Sequence, residues 1–457
     1  MKADLVVKNG LIVSPEQTVR GGVAIADGMF VAIGADDTLP DAKEVIDVGG
    51  KHILPGLIDA HVHFRDPGMT HKEDFGTGST AAVCGGITTV IDMPNVIPPT
   101  ENAQRVKEKQ AIAESKALCD FGLYGVIHQT NAHDVLPMAE AGVIGYKIFF
   151  GETIGNLPYP DDGMCYEVFS NITKSGLRLA VHAENRPIQY YWTNKMKEEG
   201  KRDPIYWEQT RPWMCEAEAI HHIIFLAQNF NTKLHVVHTT TKQGVWLIRD
   251  AKARGQDVTG ETGPHYLLRT SKDLAKVGPL LKMNPPVRGQ DHQDVLWEGI
   301  LNGHLDMVAT DHSPHTLEEK GCDIDGKLLK PAIWDCISGF CGVETGVPLL
   351  LNEVNKGRMT LNHYVKLASE NPAKIWQMYP RKGKIALGSD GDLTIVDMDK
   401  EMTIDPRKLH SKNPPTPWSG WKVKGVPIYT IVRGHVQMRN GEPTGKAIGK
   451  MQLPIKN

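Results

Sequence analysis

The stretch GLIDAHVHFRDPG, residues 56–68, closes an apolar run with two histidines one residue apart and then adds an arginine. In a strand, successive side chains alternate between the two faces, so His61 and His63 point the same way and Val62 points into the opposite layer. By the same alternation, Arg65 shares the face of the two histidines. A His-x-His pair taken alone is more often a polar strand end than a metal site. The rest of the chain therefore decides what this pair means.

A regular alternation of strand and helix patterns follows this stretch. Short β-branched runs and longer helical patterns alternate about eight times over some 300 residues, which is typical of a parallel (β/α)8 barrel of the TIM type. The runs are GITTVIDM, DFGLYGVI, VIGYKIFF, RLAVHAEN, KLHVVH, DVTGET and HLDMVATDH. We therefore predict a barrel domain over residues 52–380, with its chemistry at the C-terminal ends of the strands.

The two ends of the chain share a different texture. Short alternating strands occur in the first 50 residues and again near the C-terminus, separated by the turn signals Asn9-Gly10, Asp27-Gly28 and Asn440-Gly441. This pattern predicts one small β-sandwich domain built from residues 1–51 and 381–457. A chain of 457 residues is also long enough for two domains.

Composition and charge limit the partners of the protein. A formal net charge of -3 gives no electrostatic reason to expect a nucleic acid, and we expect a small-molecule ligand. No apolar run reaches the length of about 18 residues that a membrane span needs, and the N-terminus lacks the core of a signal peptide. The seven cysteines form no C-x-x-C pair and their odd number argues against a disulfide framework. We therefore expect a cytoplasmic protein without membrane contact.

Polar side chains close successive strands of the predicted barrel. These candidate metal ligands are His61, His63, Lys147, His182, His238 and Asp311. Four imidazoles and a carboxylate suit divalent zinc and exceed what one tetrahedral ion with an open position uses, so two ions fit better. A lysine ammonium cannot bind a metal, but a carbamate formed from the Lys147 amine and carbon dioxide is an anion with two oxygens. The simpler alternative is a buried salt-bridge lysine, which the apolar GYKIFF strand would accommodate poorly.

This pattern resembles the cyclic amidohydrolases, a family that includes hydantoinases, dihydropyrimidinases, allantoinases and dihydroorotases. The resemblance runs from LPGLIDAHVH through GVETGVPLLL to GSDGDLTIVD. It implies that one metal is held by His61, His63 and Asp311, and the other by His182 and His238. Carboxylated Lys147 bridges the two ions.

The implied reaction is the hydrolytic opening of a cyclic amide or ureide ring. Two divalent ions, with zinc favoured, lower the pKa of water to about 7 and polarise the ring carbonyl. We expect Asp311 to take the proton of the nucleophile and to deliver it to the ring nitrogen as the general acid. The competing interpretation makes Asp311 a metal ligand only.

Several motifs resemble dihydroorotases. HVHFRDPGMTHKEDF, DMPN and DHSPHTLEEK carry the residues that correspond to binders of a substrate carboxylate, which are Arg65, Asn95 and His315. The motif KIFFGET is also dihydroorotase-like and puts Thr153 on a loop over the substrate. These motifs favour a ring that carries a carboxylate.

Other segments resemble hydantoinases and allantoinases. They include the aromatic-rich excursion at residues 185–216, which we interpret as a packing or oligomer surface, and the segment ETGPHYLL. Hydantoinases and dihydropyrimidinases typically carry a tyrosine five residues after the bridging lysine, where this chain has Glu152. Asn284 and the backbone around Ser338 lie where the family hydrogen-bonds the ring amide. An allantoinase or a dihydropyrimidinase is therefore the alternative function.

Three further alternatives stay open at this point. Arg65 can pair with a nearby acid such as Asp66 or Glu73 and only shape its loop. The chain can be a non-enzymatic, dihydropyrimidinase-like scaffold, although all six ligand positions are intact. A mononuclear deaminase is disfavoured by Lys147, which stands where a bridge is required. Family analogy also suggests a homo-oligomer, either a dimer or a tetramer.

Overall fold

A computed structural model describes residues 2–154 and 157–455. The strands of these residues are β1 (Ala3–Val13), β2 (Thr18–Ala26), β3 (Met29–Gly34), β4 (Ala42–Asp47), β5 (His52–Pro55), β6 (Leu57–Val62), β7 (Ile87–Asp92), β8 (Asp120–Ile127), β9 (Gly145–Phe149), β10 (Arg178–His182), β11 (Leu234–Val236), β12 (Val258–Thr262), β13 (Met307–Val308), β14 (Leu393–Thr403), β15 (Lys422–Val432), β16 (His435–Arg439) and β17 (Glu442–Pro443). They form two separate sheets.

The α-helices lie mainly between the strands β6 to β13. They are α1 (Phe75–Cys84), α2 (Ala103–Lys116), α3 (Val135–Glu140), α4 (Asp162–Ser175), α5 (Arg186–Glu198), α6 (Trp213–Gln228), α7 (Lys242–Ala253), α8 (Pro264–Leu268), α9 (Leu274–Val277), α10 (Gln290–Leu301), α11 (Leu317–Lys320), α12 (Gly346–Asn355), α13 (Leu361–Val365) and α14 (Asn371–Ile375). No helix of the described residues is both long and apolar enough to cross a membrane.

Strands β6 to β13 form the predicted parallel barrel. They pair in sequence order, and every neighbouring pair is parallel. The ring closes between its first and last strands, where Val62 bridges His312 and the backbone N–H of His63 donates to the carbonyl of His312 at 2.8 Å. Every residue of β7, β8, β9 and β10 is buried, as expected for strands covered on both faces. The prediction of a barrel is confirmed.

The second sheet has nine strands from both ends of the chain, β1 to β5 and β14 to β17. This is the separate β unit that the terminal strand patterns predict. Its strand β5 covers residues 52–55 and pairs with β1 and β14, so the sheet extends beyond the predicted boundary at residue 51. The exact division into domains stays a prediction.

A buried ion-pair network joins the barrel to this sheet. Nζ of Lys382 lies 2.5 Å from a carboxylate oxygen of Asp120 at the start of β8. The same ammonium lies 2.6 Å from Asp392, immediately before β14. Asp120 belongs to the barrel, and Asp392 directly precedes a strand of the other sheet. The network therefore holds the sheet of the chain ends against the amino-terminal side of the barrel.

Candidate metal centre

The carboxyl ends of the barrel strands bring all six predicted metal ligands together. Each is buried, and all line one cavity of about 340 Å³. The six are His61 in β6, His63 after it, Lys147 in β9, His182 at the end of β10, His238 after β11 and Asp311 after β13. Because parallel strands end at the same edge of a barrel, side chains that are distant in sequence meet there.

The ring nitrogens of the four histidines converge in two groups. One carboxylate oxygen, Oδ1 of Asp311, lies 3.2 Å from Nε2 of His61 and 3.2 Å from Nε2 of His63. In the second group, Nδ1 of His182 lies 2.9 Å from Nε2 of His238. Ligand atoms of His61, His238 and Asp311 all lie within 4.8 Å of one another, so the two groups are adjacent. This donor set fits divalent metal ions.

Burial keeps three of the four imidazoles in the form that binds metals. Burial lowers the pKa of His63 to about 3, and it lowers the pKa of His182 and that of His238 as well. A neutral imidazole has a free lone pair, which a metal ligand requires. Burial alone raises the pKa of Asp311, but the charge of His61 and the hydrogen bond of His63 outweigh it and hold that pKa well below its usual range.

Two buried glutamates orient the imidazoles from behind, and neither was a sequence-based candidate. Glu261 in β12 has Oε1 at 2.6 Å from Nδ1 of His61. Glu184, two residues after His182, has Oε2 at 2.8 Å from Nε2 of that ring. A carboxylate behind a ligating histidine fixes its tautomer and its direction. Glu261 lies in the strand motif GET, and Glu184 lies in the segment AVHAEN. Their place beside predicted strand ends was the only sequence signal that could have identified them.

Lys147 is a buried lysine with an unsatisfied amine. Its Nζ has no hydrogen-bond partner within residues 2–154 and 157–455, and it lies 5.0 Å from the centre of the Phe149 ring. Burial lowers the pKa of this amine to about 7. The alternative of a buried salt-bridge lysine therefore finds no partner in the described chain. An uncharged amine at this position is a nucleophile that can react with carbon dioxide.

Arg65 is a buried guanidinium at the wall of the same cavity. It is 1% exposed, and burial lowers its pKa to about 10. Its Nη2 donates to the hydroxyl of Ser313 at 2.6 Å and lies 3.2 Å from Nε2 of His315. Its Nε has no partner in the described residues. Neither of these contacts supplies a negative charge to the guanidinium.

The acids next to Arg65 in sequence are bound elsewhere. Asp66 accepts from Nζ of Lys116 at 2.8 Å. Glu73 accepts from the hydroxyl of Thr77 and from the backbone N–H of Lys412, the latter at 3.2 Å. In the structure, therefore, Arg65 pairs with neither Asp66 nor Glu73.

Of the five other predicted substrate contacts, four line the cavity and His315 does not. Asn95, Thr153, Asn284 and Ser338 line the cavity with the metal ligands. Asn95 also holds His63, because its Oδ1 lies 2.9 Å from Nδ1 of that ring. Residues 155 and 156, in the loop that carries Thr153, lie outside the described residues.

His315 is not part of the cavity wall. It lies behind Arg65, with its Nδ1 at 3.4 Å from Nζ of Lys72 and 3.6 Å from a carboxylate oxygen of Glu319. The direct contact of His315 with a substrate, which the resemblance implied, stays a prediction.

The excursion at residues 185–216 reaches the cavity, which its sequence did not indicate. Trp207 lies in the cavity wall. Arg211 donates to Glu184 at 2.7 Å and to Glu152 at 3.0 Å, and Glu152 itself lines the cavity. Glu152, which stands where relatives typically have a tyrosine, is therefore held by a charge from the excursion.

Comparison with known proteins agrees with this geometry. Residues 52–437 match the amidohydrolase family. The chain belongs to that family. The amidohydrolase is 36% identical to an L-hydantoinase of Paenarthrobacter aurescens over 96% of its own length and 95% of the relative. It is 36% identical to an allantoinase of Solibacter usitatus over 100% and 98%, and to a dihydroorotase of Bacillus cytotoxicus over 94% and 97%.

The solved structures agree on the fold of this amidohydrolase. The L-hydantoinase (dihydropyrimidinase) of Arthrobacter aurescens superposes with a TM-score of 0.94 at 35% identity, covering 99% of this chain and 100% of the other. The predicted cyclic amidohydrolase is thereby confirmed, and so is the prediction of a hydrolase that acts on cyclic amides, against the scaffold alternative. The relatives carry three different substrate names, so they leave the ring to be identified.

Proposed function

We propose that this amidohydrolase holds two divalent ions, with zinc as the favoured metal. One ion is assigned to His61, His63 and Asp311, and the other to His182 and His238. The convergence of their ring nitrogens and the lowered pKa of His63 support this assignment. The two glutamates behind His61 and His182 support it too, because they turn the opposite nitrogens toward the cavity.

Carboxylated Lys147 is the proposed bridge between the ions. The amine nitrogen forms a bond to the carbon of carbon dioxide and loses a proton, which gives a carbamate with one negative charge and two oxygens. Two adjacent dications need such a shared anion. The unpartnered, buried Nζ of Lys147 and its pKa of about 7 support the reaction.

The proposed reaction is hydrolysis of a ring amide. When bound, the ions supply an acidified water and polarise the ring carbonyl. Asp311 is the proposed proton carrier, which takes a proton at its carboxylate from the attacking water and donates it to the ring nitrogen as the C–N bond breaks. Its position beside His61 and His63 supports both this role and that of a ligand.

The preferred ring in this proposal bears a carboxylate. The observation that carries this preference is the buried guanidinium of Arg65, which lines the cavity and has no carboxylate partner in the described residues. A buried charge is costly unless it is paired. A substrate carboxylate can supply the missing anion through two parallel hydrogen bonds, with Asn95 beside it. Dihydroorotate and carboxymethylhydantoin are rings of this kind.

An uncharged or ureido-substituted ring is the second candidate. The 36% identity to a hydantoinase and to an allantoinase favours it, since these relatives are as similar to this chain as the dihydroorotase is. On that alternative, Arg65 would orient Ser313 without binding the substrate.

A screen of ring opening separates these candidates. The metal-loaded protein is incubated with dihydroorotate, dihydrouracil, hydantoin, 5-substituted hydantoins and allantoin, and kcat/KM is measured for each. The highest kcat/KM on a carboxylated ring is the expected result. A higher value on allantoin or on uncharged hydantoins would overturn the substrate proposal and leave the ring-opening reaction in place.

A homo-oligomer, either a dimer or a tetramer, is also proposed. Exposed aromatic side chains on three neighbouring helices support it: Tyr166 on α4, Tyr191 on α5, and Trp213 and Phe225 on α6 are 45% to 67% exposed. Large aromatic side chains are enriched at protein interfaces. Sedimentation of the protein and of Phe225→Glu tests this, with dissociation of the variant expected.

A cytoplasmic location is proposed as well, supported by seven cysteines without a disulfide.

A further inference from the structure

Two buried lysines hold one short loop at the wall of the cavity. Lys282 is 3% exposed and Lys320 is 1% exposed. The ammonium of Lys282 donates to the carbonyl of Ile333 at 2.8 Å and to that of Cys336. The ammonium of Lys320 donates to the carbonyl of Gly339 at 2.7 Å and to that of Ile337 at 3.2 Å. The two side chains therefore bind three of the four carbonyls in residues 336–339.

These lysines differ from two other buried lysines of the described chain, which pair with carboxylates. Lys109 pairs with Asp92 at 2.5 Å, and Lys382 pairs with three aspartates. Within the described residues, the hydrogen bonds of Lys282 and Lys320 go only to backbone carbonyls. Burial lowers the pKa of Lys282 to about 7 and that of Lys320 to about 8, which reflects the cost of an ammonium without a carboxylate. Such a cost is unusual in a part of the fold that only has to be stable.

The face of an indole takes the place of an anion at Lys282. Its Nζ lies 3.8 Å from the centre of the Trp207 ring, and the indole N–H of Trp207 donates to the carbonyl of Met283 at 2.8 Å. A cation over an aromatic face is attracted by the ring quadrupole. Through Trp207, the excursion at residues 185–216 thus helps to hold the ammonium in place.

The hydrogen bonds of this loop leave out one residue. The backbone N–H groups of Cys336, Ile337 and Gly339 donate to carbonyls at 3.2, 3.1 and 2.9 Å. Neither the N–H nor the C=O of Ser338 has a partner in the described part of the chain, although its hydroxyl donates to Asn284 at 3.0 Å. Ser338 lines the cavity. Among the described residues, the only backbone donor and acceptor of residues 336–339 without partners therefore belong to Ser338, which lines the cavity.

Hydrogen bonds of the two neighbouring peptide units also polarise the N–H and C=O of Ser338. The Ile337 carbonyl and the Ser338 N–H belong to one peptide unit, so an ammonium on that carbonyl makes the N–H a stronger donor. The Ser338 carbonyl and the Gly339 N–H form the next unit. That N–H donates to the carbonyl of Lys282, which strengthens the Ser338 carbonyl as an acceptor.

We propose that Lys282 and Lys320 are positioning residues, which hold residues 336–339 so that the backbone N–H and C=O of Ser338 together bind an amide group of the substrate ring. A ring amide offers a carbonyl acceptor and an N–H donor side by side, which matches this pair. The inference rests on the proposed ring-opening function and on the ring-amide contact that the resemblance implies at the Ser338 backbone, and it adds the two lysines that hold this backbone.

The test compares Lys282→Met and Lys320→Met with Lys382→Met as the matched control. Each variant is loaded with metal, and its metal content, melting temperature, kcat and KM are measured on dihydroorotate and on dihydrouracil. Both Met variants are expected to raise KM about tenfold on both rings, as the loss of one hydrogen bond would, with metal content unchanged. Lys382→Met is expected to lower the melting temperature and to leave KM unchanged, because Lys382 lies between the two sheets.

Lys282→Gln and Lys320→Gln keep an N–H donor without the charge, so their KM values are expected to fall between those of the parent and the Met variants. If a Met variant does not fold, the Gln variant at that position decides by the same comparison. KM values within about twofold of the parent on both rings would overturn the inference, and so would an equal rise in Lys382→Met. A parent chain that opens none of the rings of the substrate screen would instead overturn the proposed function.

Discussion

Nδ1 of His182 and Nε2 of His238 lie 2.9 Å apart in the wall of the cavity. Burial lowers the pKa of both rings, so both are neutral imidazoles at neutral pH. Glu184 accepts from the opposite nitrogen of His182 at 2.8 Å, which leaves Nδ1 as the lone-pair nitrogen that faces His238. Two neutral imidazoles whose nitrogens converge are the arrangement expected for ligands of one shared cation.

Lys147→Ala should lose at least one metal ion and nearly all activity, because the variant cannot form the bridging carbamate. Short-chain carboxylic acids should restore part of the activity, since they supply an anion with two oxygens. Metal analysis and turnover with and without added acid measure both effects. A variant that keeps two metal ions and normal turnover would contradict the role of Lys147.

Asp311→Asn should fold, because the substitution preserves volume, but it should lose turnover by several orders of magnitude. General acid–base help is commonly worth about 100- to 10,000-fold, and a metal ligand is weakened as well. The measurement is kcat at matched metal content, with circular dichroism as the control for folding. Turnover within about tenfold of the parent would show that another group moves the proton.

Arg65→Met should raise KM for carboxylated rings by about 10- to 100-fold, through loss of a charge-assisted pair worth about 1.5 to 3 kcal/mol. Uncharged rings should be nearly unaffected. Lys116→Met is the matched control, since it removes a cation from the adjacent Asp66 without touching the cavity. Equal losses on dihydrouracil and dihydroorotate would mean that Arg65 is structural, and the allantoin or hydantoin candidate would then be preferred.

Glu261→Gln should weaken metal binding by about 10- to 100-fold, because the amide cannot orient His61 as a carboxylate does. Titration with a chelator, followed by metal content and activity, measures the change. Glu353→Gln serves as the control, since Glu353 is buried but pairs with Lys356 and Arg358 away from the cavity. Identical chelator titration curves for the parent and Glu261→Gln would rule out this orienting role.

The barrel and its six candidate ligands could be predicted because the signals are local. Alternation along β6 turns His61 and His63 to one side, and the remaining candidate ligands lie within or just after runs of apolar residues that are typical of strands. The supporting groups could not be predicted in this way. Glu261 contacts His61 from 200 positions away, and Arg65 reaches Ser313 across 248. Pairings over such separations depend on how the loops pack, which no periodicity records.

Asn95 illustrates the limit of resemblance. Its motif DMPN suggested a contact with a substrate carboxylate, and the residue does line the cavity. The structure adds that its Oδ1 holds Nδ1 of His63, while its amide nitrogen donates to Thr153 at 3.0 Å. A motif identifies the residue, but the direction of each polar atom follows from the side chains that surround it.

The sequence by itself determined the alternation of strands and helices, the separate sheet of the two chain ends, and the six polar residues within or just after barrel strands. These features follow from side-chain periodicity, which is a property of neighbouring residues. Only the tertiary structure decided which nitrogen of each imidazole faces the cavity, that Arg65 has no acidic partner among the described residues, and that two ammonium groups hold the loop of Ser338. These features depend on distances between segments far apart in the chain, and such distances are set by packing in three dimensions.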